Sequence, residues 1–276
     1  MNFGAHVSIA GGIENAPLRA KKLGCECFQM FTRSPRGGKP PELTDHLLEQ
    51  FFRNSSEASI ENYYVHTPYF INLASGKDDL RKKSVDIVRE ELKRSSALGV
   101  KYMMTHIGSA KGLQRDMAVS NVIDSLFKIL EDYQGTTQLL LENTAGQGDT
   151  IGASFNEISF ILRRASYDTL GVCMDTAHMF ASGYDIRTPE GIEELVESIN
   201  TTFSPGTVKL IHANDSKVDF NSSKDRHEHL GQGKIGTDCF RAMIENPFFK
   251  NLDMIVEMPP PEVAKDIELL KRLRDL

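Results

Sequence analysis

One unit recurs along the chain: a short apolar run, a His, Asp or Glu that stops it, a polar loop, and then a helix-patterned stretch. The runs at residues 62–65, 102–105, 139–141, 171–174, 208–211 and 254–256 stop at His66, His106, Glu142, Asp175, His212 and Glu257. Two earlier runs, residues 2–7 and 27–32, have similar length and apolar content. Each is followed by a segment with helix signals. Thr44 caps residues 45–58, and Val85, Val88, Leu92 and Leu98 mark an amphipathic helix over 78–98. Ser154 and Glu157 form a capping-box pattern, and Pro189 opens an acidic helix to residue 200. Residues 117–130, 238–244 and 262–273 supply the remaining helices.

Strand and helix thus alternate about eight times over ~250 residues, which predicts a (β/α)8 TIM barrel with its active site at the C-terminal face of the strands. Residues 1–276 are expected to form a single catalytic domain. A doubly wound open sheet would concentrate its polar strand-end residues at one switch point. Here most strands end in one, so the barrel is preferred.

Composition narrows the function class. The chain has a net charge of −6, which argues against a nucleic-acid protein that relies on a diffuse basic surface. A local basic or metal-centred footprint remains open. No apolar run reaches ~18 residues and no signal peptide is apparent, so a cytoplasmic protein with no membrane partner is expected. Cys25, Cys27, Cys173 and Cys239 lie in apolar stretches and read as reduced core residues.

A lone strand-end histidine is usually a satisfied structural residue. Six ligand-type residues at one barrel mouth are not explained that way, because clustered carboxylates repel unless cations compensate. The following loops add His178, three residues after Asp175, and the pair Asp225 and His227, which an extended segment would point to one side. Nitrogen and oxygen donors without thiolate suit Zn2+, with Mn2+ or Fe2+ as alternatives. The set is too large for one or two ions. Three metals, with one carboxylate bridging, account for all of it. Adjacent cations call for an anionic substrate and point to phosphoester hydrolysis. Arg33, Arg36, Lys39, Lys77, Lys111, Arg115, Arg187, Lys217, Lys224, Arg226 and Lys234 fall in or beside loops on the same face, as a phosphate-binding surface requires.

The stretches GAHVSIAGG, HTPYFINLAS, LENTAGQG, GVCMDTAHMFASGYD, HANDSK with DRHEHLGQGKIG, and IVEMP resemble the endonuclease IV family, zinc-dependent apurinic/apyrimidinic endonucleases of base-excision repair. The resemblance spans about residues 4–260. It implies a first zinc on His66, His106 and Glu142, and a second on Glu142, Asp175, His212 and Glu257. A third would sit on His178, Asp225 and His227. It further implies hydrolysis 5′ to an abasic site in double-stranded DNA by a hydroxide bridging two of three zincs. The products would be a 3′-hydroxyl and a 5′-deoxyribose phosphate, and 3′-blocking groups would also be removed. Glu142 could share a proton with the nucleophile.

Arg36, Tyr69 and Phe70 match the positions that enter DNA around a flipped nucleotide. A monomer working on the nucleoid is expected. Arg36-Gly37-Gly38 stands where many members carry bulkier residues, often a tryptophan, and this chain has none. Phe70 stands where an aliphatic residue is common. The rival reading is a metal-dependent sugar isomerase or epimerase of the xylose-isomerase-like barrels. It would use Glu142, Asp175, His212 and Glu257 and leave the other donors without a task.

Overall fold

A computed structural model describes residues 1–165 and 170–276. Eight parallel strands close into a barrel: β1 (Phe3–Val7), β2 (Cys27–Met30), β3 (Asn62–His66), β4 (Tyr102–His106), β5 (Gln138–Glu142), β6 (Leu170–Asp175), β7 (Val208–His212) and β10 (Asp253–Val256). The helices are α1 (Ala16–Lys22), α2 (Asp45–Ala58), α3 (Asp78–Ala97), α4 (Arg115–Leu130), α5 (Phe155–Ala165), α6 (Thr176–Ser182), α7 (Pro189–Thr202), α8 (Thr237–Glu245) and α9 (Val263–Arg274). β10 closes on β1 through Phe3–Met254, Gly4–Ile255 and Ala5–Val256. A two-stranded antiparallel ribbon, β8 (Asp215–Ser216) with β9 (His227–Glu228), stands on the loop after β7.

The barrel interior is built in layers. Cys27, Tyr64, Met104, Leu140, Cys173, Leu210 and Ile255, one from each of seven strands, pack together inside it. The eighth strand offers Gly4 at this level, where a Cβ would lie 1.9 Å from the Cys27 carbonyl oxygen. Side chains alternate along a strand, so the residue two positions on points inward again, one layer higher. Those residues are His6, Gln29, His66, His106, Glu142, Asp175, His212 and Glu257. One apolar layer therefore floors one layer of donors.

A 3-10 turn, Ile13–Asn15, precedes α1. One local reading changes. Glu157 does not close a capping box on Ser154; its carboxylate accepts the Gly152 N–H at 2.6 Å and pairs with Arg115. No helix among the described residues is long and apolar enough to cross a membrane.

Candidate metal centre and its surroundings

Strand register sets the first distances. β4 aligns His106 with Glu142, and β6 aligns Asp175 with His212. Glu142 is fully buried at the centre. Its Oε2 lies 3.0 Å from His66 Nε2 and 3.2 Å from His106 Nε2, and its Oε1 lies 2.9 Å from His212 Nδ1. His212 Nδ1 is also 3.4 Å from Glu257 Oε2. Away from this cluster, His178 Nε2 and His227 Nε2 lie 3.2 and 3.3 Å from the two oxygens of Asp225 and 3.5 Å from each other. The donor atoms gather into three groups: His66, His106 and Glu142; Glu142, Asp175, His212 and Glu257; and Asp175, His178 and His227, with Asp225 against the last. All nine donors singled out in the sequence thus meet at one mouth.

Their free atoms are set by groups behind them, as in most metal sites. His66 Nδ1 faces the Thr67 carbonyl oxygen at 2.6 Å, and His178 Nδ1 faces that of Asn143 at 2.9 Å. A carbonyl can only accept, so each ring carries a proton on Nδ1, which leaves Nε2 as the atom that faces the site. For His212 the roles are reversed by Gln29. The Gln29 amide donates to Glu257 Oε1 at 2.7 Å and to His6 Nδ1 at 2.9 Å, so its oxygen faces a donor, His212 Nε2–H at 2.8 Å. His212 then offers Nδ1. Asn214 donates to Asp175 Oδ2 at 2.6 Å and to Glu257 Oε2 at 3.3 Å, and Asn143 accepts the Asp175 N–H at 2.6 Å.

His178 does not lie in a loop. Asp175 is the N-cap of α6, and its Oδ1 accepts the His178 N–H at 2.8 Å. The cap fixes where the helix starts and so directs His178 back over the barrel. The ribbon that brings Asp225 and His227 is tied to the turn after it by Asp215 of its first strand. Its buried carboxylate accepts the N–H groups of Ser216, Gly231, Gly233, Ile235 and Gly236. A Cβ on Gly233 would lie 2.4 Å from that carboxylate, so this turn has no room for a side chain.

Nine N/O donors, six of them in one layer of the barrel and three beside it, fit a polynuclear metal site better than a structural hydrogen-bond network. Burial alone would raise the Glu142 carboxyl, yet His212 and His106 hold it well below the usual range. Burial works against charge on His178, but Asp175 and Asp225 bring its pKa up to about 10. Glu142 raises His106 against burial, and His212 is raised by its neighbours Cys173, Glu257 and Glu142. The protons on these rings occupy positions that cations would take. Cys173 adjoins His212, but burial pushes its thiol up to about 12. It belongs to the apolar layer beneath the donors, so the donor set is one of nitrogen and oxygen.

Above the donors opens a pocket of about 370 Å³ bordered by Tyr69, Phe70, His106, Lys111 and Asp225. Tyr69 is 63% exposed and Phe70 42%. Tyr69 packs on Phe31 with ring centres 5.3 Å apart, and Phe70 lies beside Gly37. Arg36 is exposed on the loop after β2. That loop is anchored by a buried ion network: Arg33 pairs with Glu90 and Glu91, and Arg94 donates to the Thr32 carbonyl and hydroxyl oxygens and to the Pro41 carbonyl. Arg33 is therefore not a surface cation for substrate, as the sequence suggested. Arg115, Arg187, Lys217 and Lys234 are likewise paired, with Glu157, Asp185, Glu228 and Asp219.

The model of the xylose isomerase-like TIM barrel family matches residues 17–273. A protein from Carboxydothermus hydrogenoformans named "Probable endonuclease 4" is 38% identical over 275 residues, covering 100% of this chain and 97% of that one. Its namesake from Halothermothrix orenii is 37% identical over 276 residues, covering 99% of each. Among solved structures, endonuclease IV from Thermus thermophilus superposes with a TM-score of 0.89 at 31% identity, covering 100% of this chain and 99% of that one. A D-tagatose 3-epimerase-like protein superposes at 0.75 with 19% identity, covering 100% of this chain and 97% of the other, a likeness of fold alone. With the barrel, the donor layer and full-length similarity in agreement, the chain belongs to the endonuclease IV family within the xylose isomerase-like TIM barrels.

Proposed function

We propose that this protein, acting as a monomer, hydrolyses the phosphodiester bond 5′ to abasic sites in double-stranded DNA, leaves 3′-hydroxyl and 5′-deoxyribose phosphate ends, and clears 3′-blocking groups. The observation that carries this reading is the third donor group. Asp175, His178 and His227 with Asp225 sit beside the Glu142 clusters. A sugar isomerase needs only one or two metals and a base, so it has no use for that third group.

His66, His106 and Glu142 would hold one zinc, and Glu142, Asp175, His212 and Glu257 a second. His178, Asp225 and His227 would hold a third; Mn2+ could replace zinc at some positions. Bound there, the ions would supply hydroxide near neutral pH, polarise phosphate oxygens and stabilise the departing 3′ oxygen. The chain itself does the rest. Glu142, with one oxygen toward His66 and His106 and the other toward His212, couples the first two positions and is placed to hold the nucleophile's proton. Asp175, shared through the α6 cap with His178, ties the third position to them. Tyr69 and Phe70 offer exposed aromatic faces to replace lost base stacking, and Arg36 offers a guanidinium to phosphate or base edges.

The test is incision of a duplex carrying one abasic analogue, before and after EDTA treatment and after zinc restoration. Incision should vanish on chelation and return with zinc. No incision at any metal loading sinks the reading.

A further inference from the structure

Beside the donor pocket lies a second cleft, of about 620 Å³, and the two share Phe70, Asn72 and Lys111. Four cations line it: Arg36 from the loop after β2, Lys77 and Lys83 from the start of α3, and Lys111 from the loop after β4. No Asp or Glu lines it. None of these four side chains is ion-paired among the described residues, unlike Arg33, Arg115, Arg187, Lys217 and Lys234 on the same face.

Helix α3 is sorted accordingly. Lys77, Leu80, Lys83 and Ile87, at helical spacing, face this cleft. Asp78, Asp79, Lys82 and Asp86 border a different one, where Asp78 pairs with Arg81 at 2.6 Å and Asp86 with Lys82 at 2.7 Å. Asp79 and Asp86, four residues before and three after Lys83, border that other groove, and neither is ion-paired with Lys83 among the described residues. In a chain of net charge −6, four unneutralised cations around one concavity form a local polyanion site. Phe70 stands on its border with the metal mouth, an aromatic face at the junction.

We infer that this cleft binds the phosphodiester backbone of the nucleic-acid strand next to the cleaved nucleotide, with Lys77, Lys83 and Lys111 each neutralising a phosphate. The inference rests on the nuclease reading above. It adds residues outside the metal mouth that supply affinity by counterion release without reading sequence. The sequence already offers Lys77 and Lys111 as cations of this face, but not Lys83, which lies inside α3.

The test uses the zinc-loaded full-length protein and an undamaged duplex, so that binding is read without incision. Lys77→Gln/Lys83→Gln/Lys111→Gln is compared with Lys22→Gln/Lys101→Gln/Lys250→Gln, which removes equal charge at the opposite end of the barrel. Lys77, Lys83 and Lys111 are exposed, so the fold should survive; circular dichroism and zinc content check it. The cleft variant should bind at least about tenfold more weakly at low salt, with a log Kd against log salt slope shallower by about 2 to 3. The control should keep the wild-type slope. A cleft variant with wild-type affinity and slope overturns the inference, and so does an equal loss in the control. Incision of an abasic duplex is scored separately: duplex binding that depends on the cleft, with no incision at any metal loading, would refute the nuclease reading while leaving the cleft a polyanion site.

Discussion

Within the donor layer each charged group has a counter-group inside the molecule, whereas the adjoining cleft holds four cations with none. Glu142 alone meets three imidazoles within 3.2 Å. Lys77, Lys83, Lys111 and Arg36 meet no carboxylate in the cleft they share. The difference follows from burial. A desolvated charge without a partner costs several kcal/mol, so the donor layer must be self-consistent even before metal enters. Cations in water carry no such cost and can be kept in reserve for an anion. The donor layer is thus a device for chemistry at one phosphate, and the cleft one for holding the strand that carries it.

The first way to break this contrast is to remove the hub of the donor layer. Glu142→Gln keeps the shape but loses the charge that faces His66, His106 and His212. Incision should fall by about a thousandfold or more, since several kcal/mol of charge stabilisation is at stake, and bound zinc should drop. Loss of incision below tenfold would mean Glu142 is not the bridge. A step down in size, Gln29→Leu removes the amide that orients His212 and Glu257. Zinc affinity should weaken by about 10- to 100-fold, the usual cost of losing such support, measured by chelator competition. Excess zinc should then restore incision, which separates a positioning role from a catalytic one.

The donor layer should also show its stored protons. In the metal-free protein His178 titrates near 10, and His106 and His212 are raised as well. Metal must displace those protons. Zinc uptake at pH 7 should release about two or more protons per chain, read by calorimetry in buffers of different ionisation enthalpy. Because the folded pKa values are raised, zinc affinity should rise with pH through the neutral range. Uptake without proton release would refute the assigned ring states.

How much of this is legible in the sequence depends on the distance over which each feature is encoded. The barrel and the donors His66, His106, Glu142, Asp175, His212 and Glu257 are legible because each is local: an apolar run and its last residue. Period two then aims them all into one layer. Gln29 and His6 belong to that layer by the same spacing, yet look like plain strand residues, since an amide is no metal-ligand type and His6 stands before the strand's last residue. The short helix α6 is hidden because Asp175 serves as both donor and cap. Asn214 could be found two residues after His212, on the same side of the chain. Arg33 is misplaced by motif reading because its partner Glu91 lies 58 residues away, and pairing over such a distance leaves no trace in a motif.

Ion pairing on the surface supplies the smallest effect. Arg187 and Lys217 are cations on the metal face, as Lys77 and Lys111 are, but Asp185 holds the first at 2.6 Å and Glu228 the second at 3.6 Å. A phosphate that recruits either must displace a carboxylate, so little net charge is offered to DNA. Replacing both with Gln should change duplex affinity by about threefold or less, the range of exposed ion pairs, and leave the salt slope almost unaltered. If this pair weakens binding as much as the cleft lysines do, what governs the DNA surface is the number of cations on that face, and the distinction between paired and reserved charge fails.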